Sequence, residues 1–65
     1  MMPIVEKLRT VYGEHPDHWF SLFTLGGHIV TGRIVDLDDT IALEAGKEVA
    51  EVPADRVEAF SHRPL

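Results

Sequence analysis

The first apolar positions of the chain recur with the spacing of an α-helix. Offsets of i, i+1, i+4, i+7 and i+8 place them on one stripe: Ile4, Val5, Leu8, Val11 and Tyr12. Pro3 suits the first helical turn, where its missing N–H would have no partner, and Gly13 is a natural helix end. The pattern predicts one short helix within residues 1–13. Its stripe must pack on the rest of the chain, because so short a helix is unstable alone.

From Trp19 onward the pattern changes to the short alternating runs that are typical of β-strands. The predicted strands are Trp19–Leu25, His28–Leu37, Thr40–Glu44, Glu48–Val52 and Val57–Ser61. The predicted turns are Gly26–Gly27, Asp38–Asp39, Ala45–Lys47 and Pro53–Arg56, and the tail His62–Leu65 is expected to fray. Gly32 lies within the second strand, where a glycine indicates a sharp bend or a close backbone approach.

These elements predict a mainly β fold in which an N-terminal helix precedes a five-stranded, strongly bent antiparallel small barrel, partly open, over residues 19–62. Residues 1–65 are expected to form a single domain. The first strand is apolar on both faces, with Phe20 and Leu22 on one and Trp19, Phe23 and Leu25 on the other. We therefore expect this strand to be covered on both faces. The helix is large enough to cover only part of that apolar surface.

The size of the chain points toward self-association. It has 65 residues, of which 45% are apolar, and no cysteine, so disulfides and thiolate-bound zinc are excluded. A single core in a chain below roughly 70–80 residues rarely supplies more than a few kcal/mol of stability. The longest uncharged stretch, His18–Gly32, is too short for a membrane span, and no secretory signal pattern opens the chain. We expect a cytoplasmic protein with no membrane partner.

Charge is unevenly distributed along the chain, which has a net charge of −5. Between Asp36 and Glu58 eight acidic residues face only Lys47 and Arg56. An acidic field opposes non-specific phosphate binding, because that binding depends on cationic neutralisation of phosphates. The simplest interpretation is an acidic surface that favours solubility.

The segment Gly27–Asp38 resembles the first motif of the Sm-like family, which comprises the Sm, Lsm and Hfq proteins. The motif positions are filled at the right spacing by Gly27, Val30, Gly32, Ile34, Leu37 and Asp38. Upstream, Phe20 and Leu22 match the first strand, although Thr24 stands where the family usually has a leucine. Val49–Phe60 resembles the second motif in its apolar skeleton alone.

This resemblance implies an SH3-like small barrel that assembles into a homo-oligomeric ring. In the family, the fourth strand of one subunit pairs with the fifth strand of the next, and the subunits form closed rings. For a chain this short we expect about five to seven subunits. The resemblance also implies binding of single-stranded RNA. It implies no cofactor.

The residues of the usual uridine pocket are only partly present. Thr40 stands where the family has a stacking side chain, and Ala42 where many members have an asparagine. The cation of the second motif falls on Pro53 or its neighbour Ala54, so Asp38 and Asp55 are the matches. Each aspartate could contact RNA or brace its turn by bonding backbone N–H groups, and we favour bracing.

A second RNA surface of Hfq rings corresponds to Phe23 and Thr31 in this chain. Phe23 could stack on a purine there, or it could pack beneath the helix or a neighbouring subunit. Packing is the favoured interpretation, because aromatic side chains mostly supply buried area. Lys7 and Arg9, repeated around a ring, could form a modest basic patch on the helix side.

The remaining polar residues predict neither catalysis nor a metal site. No cysteine nucleophile is present, and Ser21 and Ser61 have no neighbouring base in the sequence. His15 and His18 flank a proline and are interpreted as a polar loop, although histidines repeated around a ring could collect metal or respond to pH. Trp19 is expected to anchor the core or an interface.

Two functions follow as alternatives from these patterns. The first is an Sm-like ring that acts as an RNA-binding chaperone or scaffold with a degraded uridine pocket. The second is a ring that serves as a scaffold for protein partners without binding RNA. Family resemblance favours the first, whereas Thr40, Ala42, Pro53 and the acidic second half favour the second.

Overall fold

A computed structural model describes residues 4–65, and these form one helix followed by five antiparallel strands. The elements are α1 (Ile4–Glu14), β1 (Trp19–Thr24), β2 (Ile29–Leu37), β3 (Thr40–Ala45), β4 (Glu48–Pro53) and β5 (Val57–Arg63). A single 3₁₀ turn, Ala54–Arg56, joins β4 to β5. The predicted helix start, including Pro3, lies outside the described residues. The order and type of all elements are as the sequence predicts.

The five strands form one sheet in the order β4-β3-β2-β1-β5. The sheet is not closed: β5 pairs with β1, and β4 pairs with β3. The predicted barrel is therefore an open sheet in the single chain, with β4 and β5 at its two edges. Between Ile34 and Asp36 the β2–β3 register shifts by one residue, which leaves Val35 as a bulge.

Helix α1 packs through its apolar stripe on one face of the sheet, called here the inner face. Leu8 is fully buried, and Tyr12 meets the ring of Phe20 edge-on at 6.3 Å between centroids. The predicted end at Gly13 is wrong by one residue, because Gly13 keeps a helical conformation and the helix continues to Glu14. In residues 4–65 no helix has the length and apolar character needed to cross a membrane.

The core lies between α1 and the inner face. Its fully or almost fully buried side chains are Leu8, Phe20, Leu22, Ile34, Ile41, Leu43, Val52 and Val57. The predicted division of β1 into two faces is confirmed, and the face with Phe20 and Leu22, both inaccessible to solvent, is the one that faces the core. The opposite side is not covered within the chain, since Phe23 and Leu25 remain 39% and 61% exposed.

The turn between β1 and β2 is one residue longer than predicted. Thr24 and His28 face each other across it, and the Thr24 N–H donates to the His28 carbonyl at 2.9 Å. Only Gly27 of the predicted Gly26–Gly27 pair has a positive φ, of 82°. A three-residue loop that ends in a left-handed glycine is a common hairpin connection.

The end of β5 also differs from the sequence prediction. His62 and Arg63 belong to the strand and pair with Phe20 and Trp19 of β1, so they do not fray. The pairing continues because β1 begins at Trp19 and offers backbone groups along its whole length.

Candidate nucleic-acid interface

The outer face of the sheet, defined as the side of β5, β1 and β2 away from α1, carries an aromatic side chain between two cations. The strand register pairs Trp19 with Arg63 on one side and with Arg33 on the other. Paired residues of antiparallel strands share a face, with Cβ atoms about 4.5–5.5 Å apart. Arg63, Trp19 and Arg33 therefore form one row across three strands, called here the Arg–Trp–Arg row.

Two further rows continue the outer face from the Arg–Trp–Arg row toward the β1–β2 turn. The second row consists of hydroxyl side chains, Ser61, Ser21 and Thr31. The Thr31 hydroxyl lies 3.4 Å from that of Ser21. The third row, Ala59, Phe23 and Ile29, is apolar, and Ile29 is 64% exposed. The face thus combines cations, hydroxyls and an exposed aromatic side chain on rigid strands.

A shallow depression marks the first two rows. It has a volume of about 290 Å³ and is lined by Trp19, Ser21, Thr31, Ser61, His62 and Arg63. Trp19 is half-buried, so its indole contributes to the wall while part of it stays accessible.

The cations of the Arg–Trp–Arg row carry no ion pair within residues 4–65. Glu44 of β3 lies opposite Arg33 in the strand register, but the two side chains form no ion pair. The ion pair found in these residues joins Arg9 to Glu6, with 4.0 Å between nitrogen and oxygen. Arg9 and Glu6 are both more than half exposed, so this pair contributes little to stability. Arg33 and Arg63 are consequently available to an anionic ligand, whereas Arg9 of the predicted basic patch already has a carboxylate neighbour.

Lys7, the other residue of the predicted basic patch, lies on a different surface. With Thr10, Val11, Phe60 and His62 it lines a largely apolar groove of about 400 Å³ between α1 and β5. Lys7 and Arg9 are therefore on the helix side, as predicted, and away from the outer face.

The turns that carry Asp38, Thr40 and Asp55 are brought together. Thr40 pairs with Pro53, and the Ala54 N–H donates to the Asp39 carbonyl at 2.8 Å. All three residues are exposed. Within residues 4–65 neither carboxylate accepts a hydrogen bond, and the roles of Asp38 and Asp55 stay predictions. The turns are held by backbone bonds instead.

Arg56 lies next to these turns and was not predicted from the sequence as a site residue. Arg56 follows the position where the second motif lacks its cation, and it lines a cavity of about 380 Å³ together with His28, Val52 and Glu51. The Arg56 carbonyl accepts a hydrogen bond from the Leu25 N–H at 3.0 Å, which fixes the 3₁₀ turn against the β1–β2 loop. Glu51 in the same lining offsets the charge of Arg56.

Phe23 of β1 and Thr31 of the neighbouring strand β2 both lie on the outer face. Phe23 points away from α1, so it does not pack beneath the helix, and its packing against a neighbouring subunit stays a prediction. Trp19, expected to anchor the core or an interface, also lies on this outer face rather than among the core side chains.

Two histidines of the connector after α1 and one of β5 form a cluster on the other side of the sheet. The histidine cluster consists of His15 and His18, from the connector after α1, and His62 of β5. The rings of His15 and His18 stack at 4.2 Å between centroids, and the Nδ1 atoms of His18 and His62 are 3.0 Å apart. Desolvation by the surrounding groups, followed by repulsion from His15 and His62, lowers the pKa of His18, although Asp17 acts in the opposite direction.

Comparisons with family models, with curated proteins and with solved structures gave no match to this chain. The class of protein is defined by its own fold, which is a small, mainly β domain with a helix on the inner side of an open five-stranded sheet.

Proposed function

We propose that this protein is an Sm-like, ring-forming protein that binds single-stranded RNA on the outer face of its sheet. The observation that carries the proposal is the Arg–Trp–Arg row, in which an accessible indole stands between two arginines without ion-pair partners.

The chemistry of this row suits unpaired nucleotides. Stacking of a base on an aromatic ring contributes about 1–3 kcal/mol, and it tolerates any sequence because every base has a π-face. Arg33 and Arg63 would neutralise the flanking phosphates, and the hydroxyls of Ser21 and Thr31 can donate to phosphate or sugar oxygens. Phe23, two rows away, offers a further aromatic surface for a neighbouring base.

The outer face is a better candidate than the pocket formed by the turns. Thr40 has no aromatic plane, Ala42 is buried and has no side-chain donor, and Asp38 and Asp55 bring negative charge. Repulsion between these carboxylates and phosphates opposes binding there. In this proposal the uridine pocket of the Sm-like family is therefore degraded, and RNA binds to the outer face of the sheet.

The ring proposal rests on the topology of the sheet. Strands β4 and β5 are its edges, and each has one side without a partner in the chain. Pairing β4 of one copy with β5 of the next would satisfy both edges by a head-to-tail contact that can close on itself. Val49, 57% exposed on β4, would be covered by that contact. Self-association would also compensate for the small core.

Fluorescence anisotropy with labelled oligo-U and oligo-A, at low and moderate salt, tests RNA binding. Arg33→Ala and Arg63→Ala should each weaken binding and reduce the slope of log affinity against log salt by about one. Trp19→Leu keeps apolar bulk but removes the indole plane, and it should weaken binding without changing that slope. Lys47→Ala is the matched control, since it removes a cation from the β3–β4 turn.

Two results would contradict RNA binding by the outer face. One is the absence of measurable binding at low salt by a folded protein. The other is a loss in Lys47→Ala as large as that in the arginine variants, which would indicate non-specific attraction. Binding lost in Lys7→Ala and Arg9→Ala instead would assign the ligand to the helix side.

A second candidate function is a ring that binds proteins rather than RNA. It is favoured by exposed apolar side chains at one end of the outer face, where Phe23, Leu25 and Ile29 are 39%, 61% and 64% exposed. In that case the oligonucleotides would not bind at any salt concentration, although the ring would still form.

A further inference from the structure

The histidine cluster contains two imidazole nitrogens aimed at each other. The Nδ1 atoms of His18 and His62 are 3.0 Å apart, while the ring centroids are 5.2 Å apart and the ring planes differ by 30°. The nitrogens are thus much closer than the ring centres, which means that the rings meet edge to edge. Each Nδ1 lies in the gap, where one shared proton can form an N–H···N hydrogen bond.

Neighbouring rings hold both imidazoles in this arrangement. His62 lies over Phe20, with 5.7 Å between centroids and 26° between planes, and Phe20 is a fully buried core residue. His18 is stacked by His15 with an 18° angle between planes. Since His18 follows the helix and His62 belongs to the edge strand, the pair connects two parts of the fold that are 44 residues apart.

We propose that the Nδ1 atoms of His18 and His62 together bind one divalent transition-metal ion, of which Zn²⁺ is the representative case. Imidazole nitrogen is a preferred ligand of Zn²⁺, Cu²⁺ and Ni²⁺ and a poor one for Mg²⁺ or Ca²⁺. Zn–N bonds are about 2.0–2.1 Å long, so two nitrogens in a tetrahedral site are roughly 3.3 Å apart. As the ion replaces the shared proton, the gap must widen by a few tenths of an ångström and the exposed His62 ring must tilt, so that both lone pairs converge on the ion.

The site is a two-donor site completed by solvent. Within residues 4–65 no group of three or more His, Cys, Asp or Glu side chains is arranged to hold a metal ion, so water fills the remaining positions. The ion would have access, because His62 is exposed and His18 is half-buried. Asp17 is beside His18 in the chain and favours a cation, whereas Lys7, which shares a groove with His62, opposes it.

Metal binding at this histidine pair depends on pH. An imidazole nitrogen must be unprotonated to bind a metal ion, so protons compete with the ion for both rings. Metal affinity should therefore fall as the solution becomes acidic. The proposal does not depend on RNA binding, because it rests on the distance between the two Nδ1 atoms alone.

Isothermal titration of the untagged protein with Zn²⁺ tests the proposal, with Mg²⁺ as the comparison ion. We expect one Zn²⁺ per chain, no comparable heat from Mg²⁺, and an unfolding temperature that rises with Zn²⁺ because the ion binds the folded state. His18→Gln and His62→Gln should each lower the affinity by at least about tenfold. His28→Gln is the matched control, since His28 lies at the β1–β2 loop.

Equal losses in His28→Gln and His62→Gln, or equal binding of Mg²⁺ and Zn²⁺, would overturn the proposal in favour of diffuse attraction to an acidic surface. Failure of the folded wild-type chain to bind Zn²⁺ would also overturn it. If a variant does not fold, NMR of the wild-type protein decides the question. Zn²⁺ must then shift the ring protons of His18 and His62 more than those of His28.

Discussion

The backbone of Gly32 lies directly against the carbonyl group of Glu44. A Cβ atom added at Gly32 would be 2.7 Å from the Glu44 oxygen, a distance that real Cβ atoms do not adopt. The contact joins β2 to β3 just before the bulge at Val35, where the sheet register shifts. The close backbone approach that the sequence predicts at Gly32 is therefore confirmed.

Gly32→Ala should destabilise the protein by about 1–3 kcal/mol, because the backbone of β3 must move to admit the methyl group. Urea unfolding measures this change. Gly13→Ala is the matched control, since nothing lies within 4 Å of a Cβ there and Gly13 is in the helix. That substitution should stabilise the protein by about 0.5–1 kcal/mol, and a destabilised Gly13→Ala would contradict the helical assignment.

Leu8→Ala should lower the free energy of unfolding by about 2–5 kcal/mol, because Leu8 is fully buried between α1 and the sheet. In a chain of this size such a loss would leave little stability. Ile29→Ala removes a similar side chain that is 64% exposed, and it should cost less than about 1 kcal/mol. Similar losses in both variants, measured by urea unfolding, would mean that the outer face is covered in solution.

The stability of the protein should fall as the pH falls through the histidine range. The folded-state pKa of His18 lies below its ordinary value of 6.5, so the unfolded chain takes up the proton first. The contribution of His18 is therefore complete above 6.5 and is lost as the pH falls toward the lowered value. The groups that surround it are His15, His62 and Asp17, of which only Asp17 favours protonation.

Urea unfolding between about pH 8 and about pH 5 measures this dependence. His18→Gln should flatten the profile across the histidine range, whereas His28→Gln should leave it unchanged. A wild-type profile that rises as the pH falls would contradict the arrangement of the histidine cluster.

If the chains assemble through β4 and β5, stability should depend on protein concentration. The unfolding temperature should then rise as the concentration is raised, because association stabilises only folded copies. Native mass spectrometry should show one closed species of about five to seven subunits. A folded monomer that persists at micromolar concentration would rule out the ring.

One residue of loop length explains why the Arg–Trp–Arg row was not predicted. A two-residue Gly26–Gly27 turn would place Trp19 opposite Ile34, whereas the observed three-residue loop places Trp19 opposite Arg33. A one-residue change of register exchanges the two faces of a strand relative to its partner. Sequence patterning identified the strands and the two faces of β1, but the side chains that share a row across strands depended on this turn.

The sequence by itself determined the order and type of the elements, which side chains of β1 share a face, and the need for glycine at position 32, because these follow from local periodicity and backbone sterics. The tertiary structure alone decided which distant residues meet. It joined Arg63 to Trp19, His62 to His18, and left β4 and β5 as the free edges. Those contacts depend on strand register and sheet closure, which are settled by packing of the whole chain.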